Sequence, residues 1–388
     1  MLLALNASSR RDFIILVSAG ALYMCSASFT LLLPRYFVDI GATAEQIGWL
    51  IALPVPFYVS VTLLSGWLAD RMSVRWLGVL GILLSASASW ALVLQDNIDS
   101  AVWMLRAIQG MGHALAITPI VPMASRSLGV SYRAQGIGYF AVCMQMGNIV
   151  GTLLAAMLIE GLGYNAYFGV AMFLALVGAG VFTQVGSTND SPLANANISD
   201  KDVGHGRYLH GLLLMLVLAG AFGMVLQYSA VLLDHLVAVE QLASPFSVSW
   251  ILTVLLAAVI AVRLLAPPAI YRPGNTIWML SAMAGIPISM LLFPNIQGIG
   301  GAVLVASLLG VSYGLLLPTV HALCLNRAGT AQQGWAVGLT NLTFECGYRG
   351  FGFFIGPVIG AFGFNGMFLT LAGLTTLGIG IFLLVERR

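Results

Sequence analysis

Hydrogen-bonding and ionisable side chains are few in this chain, and the informative ones interrupt long apolar runs. Within the run 100 to 122, Arg106, Gln109, Gly110 and His113 follow one another at +3, +4 and +7, so they share one helix face. In the run 333 to 359, Asn341, Glu345 and Arg349 recur every fourth residue, setting an acid and a base on one face. Gln145 and Asn148 punctuate the run 134 to 159, and Gln227 and Tyr228 the run 208 to 232. An ionisable group at the centre of a hydrocarbon layer is unfavourable by at least ~2.5 to 3.5 kcal/mol, so each one is a candidate for function. The chemistry on offer is proton exchange at Glu345, Arg106 and His113. Recognition of a charged organic molecule falls to Arg349, Asn341, Arg106, Gln109, Gln145, Asn148, Gln227 and Tyr228.

Plainer readings stand beside these: a permanent i, i+4 ion pair for Glu345 and Arg349, a structural arginine at 106, and a packed hydrogen-bonding histidine at 113. The scarcity of ions bears on sign, because Arg106 and Arg349 outnumber Glu345, and a cavity of that balance favours anionic or zwitterionic ligands. No HExxH, paired intramembrane carboxylates or Ser-His spacing is present, so an enzyme embedded in the membrane is disfavoured. The four cysteines, Cys25, Cys143, Cys324 and Cys346, all lie in apolar runs without a CxxC pair, which indicates neither disulfide nor metal site.

The elements that must position these residues follow from composition. Of 388 residues, 59% are hydrophobic and 8% charged, where soluble domains carry roughly 25% charged residues. Apolar runs at 13 to 33, 44 to 68, 75 to 94, 100 to 122, 134 to 159 and 164 to 185 are each long enough to cross a ~30 Å hydrocarbon core. Six more follow at 208 to 232, 246 to 265, 275 to 293, 299 to 324, 333 to 359 and 364 to 385. The expectation is an all-α membrane protein of twelve spans, here numbered 1 to 12. The polar stretch 186 to 207 is a linker by composition, dividing a bundle at 1–185 from one at 208–388. Thirteen of the 16 Lys and Arg fall in alternate loops and tails on one side. The positive-inside rule makes that side, with both termini and the linker, cytoplasmic in a cell (inner) membrane. A net charge of +2 without a clustered basic face speaks against a nucleic-acid partner.

The two halves echo each other. Gly163, Asn165, Phe168, Gly178, Gly180 and Phe182 recur 200 residues later as Gly363, Asn365, Phe368, Gly378, Gly380 and Phe382. Gly110 pairs with Gly310 at the same offset, and Trp49 with Trp250 and Arg126 with Arg327 at 201. Two pseudo-symmetric six-helix bundles related by an axis along the membrane normal are a rocking-bundle device, with the site expected between them at mid-depth.

Between spans 2 and 3 the chain reads Gly66-Trp67-Leu68-Ala69-Asp70-Arg71-Met72-Ser73-Val74-Arg75. This resembles the major facilitator superfamily signature G-x-L-A-D-R-x-G-R-K, with Ser73 and Val74 departing from it. Leu105-Arg106-Ala107-Ile108-Gln109-Gly110-Met111-Gly112 resembles the R-x-x-Q-G-x-G element of its drug:proton antiporter branch. The antiporter element of span 5 is kept at Gly138, Gly147 and Gly151, but Thr152 replaces its proline and Ala155-Ala156 its glycines. The resemblance implies a latch of the two halves by Gly66, Asp70, Arg71 and Arg75, Asp70 accepting from N–H groups at a helix start or pairing with an arginine. It also implies a proton gradient as energy source, with no cofactor. Many members pair the span 4 arginine with an acid inside span 1, whereas here span 1 has only Asp12, at its inner end.

The expected function is a proton-coupled exporter of a small organic molecule by alternating access, acting as a monomer on a carboxylate-bearing metabolite such as a siderophore, or on drugs. An uptake symporter of an organic anion is the alternative, and a channel or a membrane enzyme is less favoured. Competition between Glu345 and an anionic substrate group for Arg349 would link substrate binding to proton uptake, whereas antiport requires the substrate to displace the proton.

Overall fold

The computed structural model describes residues 7–69, 72–128, 133–186, 205–242, 246–265, 276–327 and 333–386. Among these the chain is helical, with no strand. Hydrocarbon offers the backbone no hydrogen-bond partner, so a segment that crosses it must satisfy its own N–H and C=O groups. Among the described residues, seven helical stretches are long and apolar enough to cross a membrane, and Trp250–Leu265 and Met279–Asn295 are shorter apolar helices.

Two compact units result: residues 1–41 with 53–195, and residues 42–52 with 196–388. The first contains α1 (Ala7–Ala27), which continues through a 3-10 turn into α2 (Leu33–Asp39), then α4 (Pro54–Ala69), α5 (Val74–Ala91), α6 (Ser100–Arg126) and α7 (Arg133–Phe182). The second contains α3 (Ala44–Ala52), α8 (His205–Ala238), α9 (Val248–Leu265), α10 (Thr276–Leu292), α11 (Ile299–Arg327), α12 (Gln333–Tyr348) and α13 (Gly352–Glu386).

Two spans expected as single helices are interrupted. Span 2 breaks at Leu53, between α3 and α4. Pro54 supplies no N–H and disfavours helical geometry in the residue before it, so one helix ends there and a second begins on the proline. The detached α3 packs within the second unit, where Gly48 brings its backbone against Gly352 and Gly356 of α13. The sequence division had placed residues 42–52 with the first half. Span 11 breaks between α12 and α13 at residues 349–351, where 3-10-type bonds such as Gly352 N–H to Arg349 C=O, 3.0 Å, carry the chain across.

The sequence repeat has a structural counterpart. Gly163 (φ 76°, ψ −176°) and Gly363 (φ 65°, ψ −169°) share a backbone conformation open almost only to glycine, and each turns span 5 into 6 or span 11 into 12. A Cβ on Gly110 would stand 2.7 Å from Pro54 Cα, and one on Gly310 2.8 Å from Ala258 Cβ, so spans 4 and 10 approach spans 2 and 8 alike. Gly147 and Gly347, again 200 apart, do the same for spans 5 and 11 against spans 1 and 7, their Cβ positions falling 3.1 Å from Ala21 C and 3.0 Å from Ala219 Cβ. Trp49 and Trp250 are both exposed, as lipid-facing rings would be.

Candidate functional site

In the second unit, Glu345 sits in the last turn of α12 and Arg349 just beyond its end. Arg349 Nε lies 3.4 Å from Glu345 Oε2, with side-chain exposures of 15% and 21%. The backbone bond from Arg349 N–H to Glu345 C=O, 3.1 Å, keeps the last turn helical and holds the two side chains on one face. On the same helix end Phe344 and Tyr348 stack at 5.4 Å. Gln227, a sequence candidate for substrate contact, is engaged in holding the break: its Nε2 donates to Tyr348 C=O at 2.8 Å and to Gly223 C=O at 3.1 Å. An interrupted helix exposes its last carbonyls, and Gln227 satisfies one of them. The hydroxyl of its neighbour Tyr228 is buried and has no hydrogen-bond partner among the described residues. Asn341 lies on the exposed side of α12.

In the first unit the stripe on α6 divides between two neighbourhoods. Arg106, 2% exposed, donates to Gln109 Oε1, and its guanidinium stands 6.0 Å over the Phe37 ring. Gln109 Nε2 in turn donates to Ser89 Oγ of α5 at 2.6 Å, and Ser89 Oγ to Ser85 C=O at 2.9 Å. A turn and more along, His113 Nδ1 is bonded to Tyr23 OH of α1 at 2.8 Å. Tyr58 of α4 flanks the same imidazole, ring centres 5.7 Å apart. One face of α6 thus meets α5 near Gln109 and α1 and α4 near His113. Ser89 and Tyr58 are site members that sequence reasoning missed, since a serine or tyrosine in an apolar run carries no signal of its partner. Gln145 and Asn148 of α7 are half-buried, and Asn148 C=O accepts from Thr152 Oγ1 at 2.8 Å.

Of the loop signature, Asp70 and Arg71 lie outside the described residues. Gly66 is in α4. Arg75, in the first turn of α5, donates from Nη1 to Val185 C=O at 3.0 Å. No group of three or more His, Cys, Asp or Glu able to hold a metal ion occurs among the described residues.

The repeat gives each of these residues a counterpart 200 positions away in a similar scaffold. Glu345 corresponds to Gln145 and Arg349 to Ile149; Arg106 corresponds to Ala306, Gln109 to Leu309 and His113 to Tyr313. Ile149, Ala306, Leu309 and Tyr313 are all buried, and Tyr313 stacks on Phe222 at 3.5 Å. Each helix position is therefore filled by an apolar or neutral residue in one unit and by a charged or polar one in the other. Packing alone does not require the charges.

Residues 15–352 match the family model described as Major Facilitator Superfamily. Among curated relatives, the chain is 24% identical over 193 residues to "Probable anion transporter 3, chloroplastic" of Arabidopsis thaliana, covering 46% of this chain and 36% of the relative. It is 22% identical over 128 residues to "Quinolone resistance protein NorA" of Staphylococcus aureus, 33% of each. The match thus spans about a third of the length of these relatives. Among solved structures, a POT family transporter in complex with a thioalcohol-conjugated peptide superposes at a TM-score of 0.77 with 13% identity, covering 100% of this chain and 99% of the other. That likeness is one of fold.

Proposed function

As the chain belongs to the major facilitator superfamily, we propose that it is a secondary active transporter, a monomer that exports a small carboxylate-bearing organic molecule, foremost a zwitterion, in exchange for protons. The observation that carries this reading is the Glu345–Arg349 pair, 3.4 Å apart beside a broken helix, where the repeat-related positions are Gln145 and Ile149. A charge pair kept only for stability is replaceable by apolar residues at little loss, and the first unit does without it. Interrupted helices are where transporters of this kind build substrate and ion sites. Export is favoured over uptake by the R-x-x-Q-G-x-G element at Arg106 to Gly112. The two relatives, one named an anion transporter and one a quinolone resistance protein, agree with a carboxylate-bearing substrate.

The test uses the purified chain in proteoliposomes containing a pH-sensitive dye, with a fluoroquinolone as zwitterionic probe and salicylate as simple anion. Saturable, fluoroquinolone-dependent proton movement opposite to the fluoroquinolone is the expected result. Movement of fluoroquinolone and proton in the same direction would turn the reading to uptake symport, and no coupled movement with either probe would remove it.

We place both termini and the linker on the cytoplasmic side of the cell membrane, as the distribution of cations suggests. A single cysteine at Ser191 should be labelled by an impermeant maleimide only after intact cells are opened. Labelling from outside would invert the topology.

A further inference from the structure

Where the chain leaves α7, one peptide group is held from both ends by opposite charges. Arg75 Nη1 donates to the carbonyl of Val185 at 3.0 Å, and Asp12 Oδ1 accepts from the N–H of Gly186 at 3.1 Å. That C=O and that N–H belong to the same peptide bond, so Arg75, the peptide dipole and Asp12 stand in series, cation at the negative end and anion at the positive end. Hydrogen bonds in such a chain polarise one another, most effectively where water is scarce. Here Asp12 is 6% exposed and Val185 1%. Glycine at 186 is part of the device, because a Cβ there would stand 3.0 and 3.3 Å from the two Asp12 carboxylate oxygens.

The repeat again separates scaffold from purpose. The positions 200 residues on are Leu212, Asn275, Val385 and Glu386, which offer neither the acid of span 1 nor the base of span 3. The three elements joined in the first unit are the start of α1, the end of α7 and the start of α5. The last of these is the element onto which the signature loop carrying Asp70 and Arg71 runs.

We propose that Asp12 and Gly186 are positioning residues of the loop signature. They fix the Val185–Gly186 peptide, the peptide fixes Arg75, and Arg75 sets the start of α5 from which the loop departs. Asp12 thereby performs in this chain a task that lies outside the signature in sequence, 58 positions before Asp70. The role is independent of which molecule is carried.

The experiment is hydrogen exchange by mass spectrometry on the purified full chain in detergent, comparing Asp12→Ala, Gly186→Ala, Arg75→Gln and the double variant Asp12→Ala with Arg75→Gln. Each single variant is expected to raise exchange severalfold at residues 183–187 and also at 72–77, although only Arg75 lies in the second segment. The double variant should exchange no faster than the faster single one, and Asp12→Asn, which keeps an acceptor oxygen, should recover part of the protection. The melting temperature should remain within a few degrees of the parent. Two results would overturn the proposal: exchange rising only in the helix that was altered, or single effects that add in the double variant. If Asp12→Ala fails to fold, Gly186→Ala and Asp12→Asn decide the matter by the same two segments.

Discussion

Glu345→Gln is expected to yield a folded protein whose binding of substrate no longer depends on pH and whose flux no longer responds to a proton gradient. Folding should survive because the first unit already carries glutamine at the related position, Gln145. Arg349 keeps an amide oxygen within reach in place of the carboxylate at 3.4 Å. The loss of coupling follows from what the pair can exchange. When Glu345 is ionised, a zwitterion can replace the internal pair, its ammonium on Glu345 and its carboxylate on Arg349. A proton on Glu345 removes the seat for the ammonium, so proton and zwitterion compete, which is the condition for antiport. For a simple anion the sign reverses: protonating Glu345 releases Arg349, the anion and the proton bind together, and symport results. Each ligand then has a different affinity for the two protonation states, without which no coupling exists. In the parent protein, fluoroquinolone affinity should therefore rise with pH and salicylate affinity should fall, by up to about tenfold for each 1.4 kcal/mol of linkage. Both slopes should vanish in Glu345→Gln. Arg349→Ala should weaken both probes, since each presents a carboxylate. An undiminished pH response in Glu345→Gln would make the pair a structural one.

The long apolar helices were legible in the sequence because hydrocarbon imposes one solution on the backbone, and an apolar run of sufficient length reports it. The repeat was legible through its glycines for a related reason: Gly163 and Gly363 occupy a conformation that other residues avoid, and Gly110 and Gly310 admit a neighbouring backbone. The break of span 2 carried a sign in Pro54. The break of span 11 carried none, since Gly350 and Gly352 look like any of the 44 glycines in the chain. The site was legible in its residue types and much less in its contacts. Glu345 and Arg349, four apart on one helix, could be paired from spacing. The partner of His113 could not, because Tyr23 lies 90 residues earlier and is brought to it by the packing of α1 on α6. Spacing placed Arg106, Gln109 and His113 on one face, but a face wide enough to meet several neighbours does not specify which residue meets which. Residue type alone offers Gln227 as a substrate contact; that its amide also holds the Tyr348 carbonyl answers a need created by a break that the sequence does not announce. Asp12 was visible only as the acid at the end of span 1, because its partner is a backbone N–H.

The glycines divide into three physical classes, and alanine substitutions should sort them by thermal stability. At Gly110 an added Cβ would meet backbone atoms of Pro54, with Cα at 2.7 Å and the carbonyl carbon at 2.8 Å. No flexible side chain can yield there, so the helices must separate, and overpacking of this kind is destabilising by roughly 1 to 3 kcal/mol. Gly310→Ala should follow, because its near atoms include the Ala258 Cβ at 2.8 Å, which moves only with its backbone, and the carbonyl carbon of Leu255 at 3.2 Å. Gly163 and Gly363 have open space around them but positive φ, and forcing an L residue into that region is unfavourable by about 1 to 3 kcal/mol. Gly180 and Gly380 have neither neighbour nor strain; Gly380 is inside α13 and Gly180 in the last turn of α7, and within a helix alanine exceeds glycine in propensity by up to about 1 kcal/mol. Gly180→Ala and Gly380→Ala should therefore leave stability unchanged or raise it, while the other four lower it. The measurement is the fraction of detergent-solubilised protein that remains monodisperse after heating, an operational stability suited to membrane proteins that unfold irreversibly. Helix propensity alone would make all the helical substitutions stabilising, and general intolerance of change would make all six destabilising. Only close approach at 110 and 310, together with turn geometry at 163 and 363, separates four losses from two that are neutral. If Gly180→Ala and Gly110→Ala fell together, the backbone contact of spans 2 and 4, and of their counterparts 8 and 10, would not be what joins them.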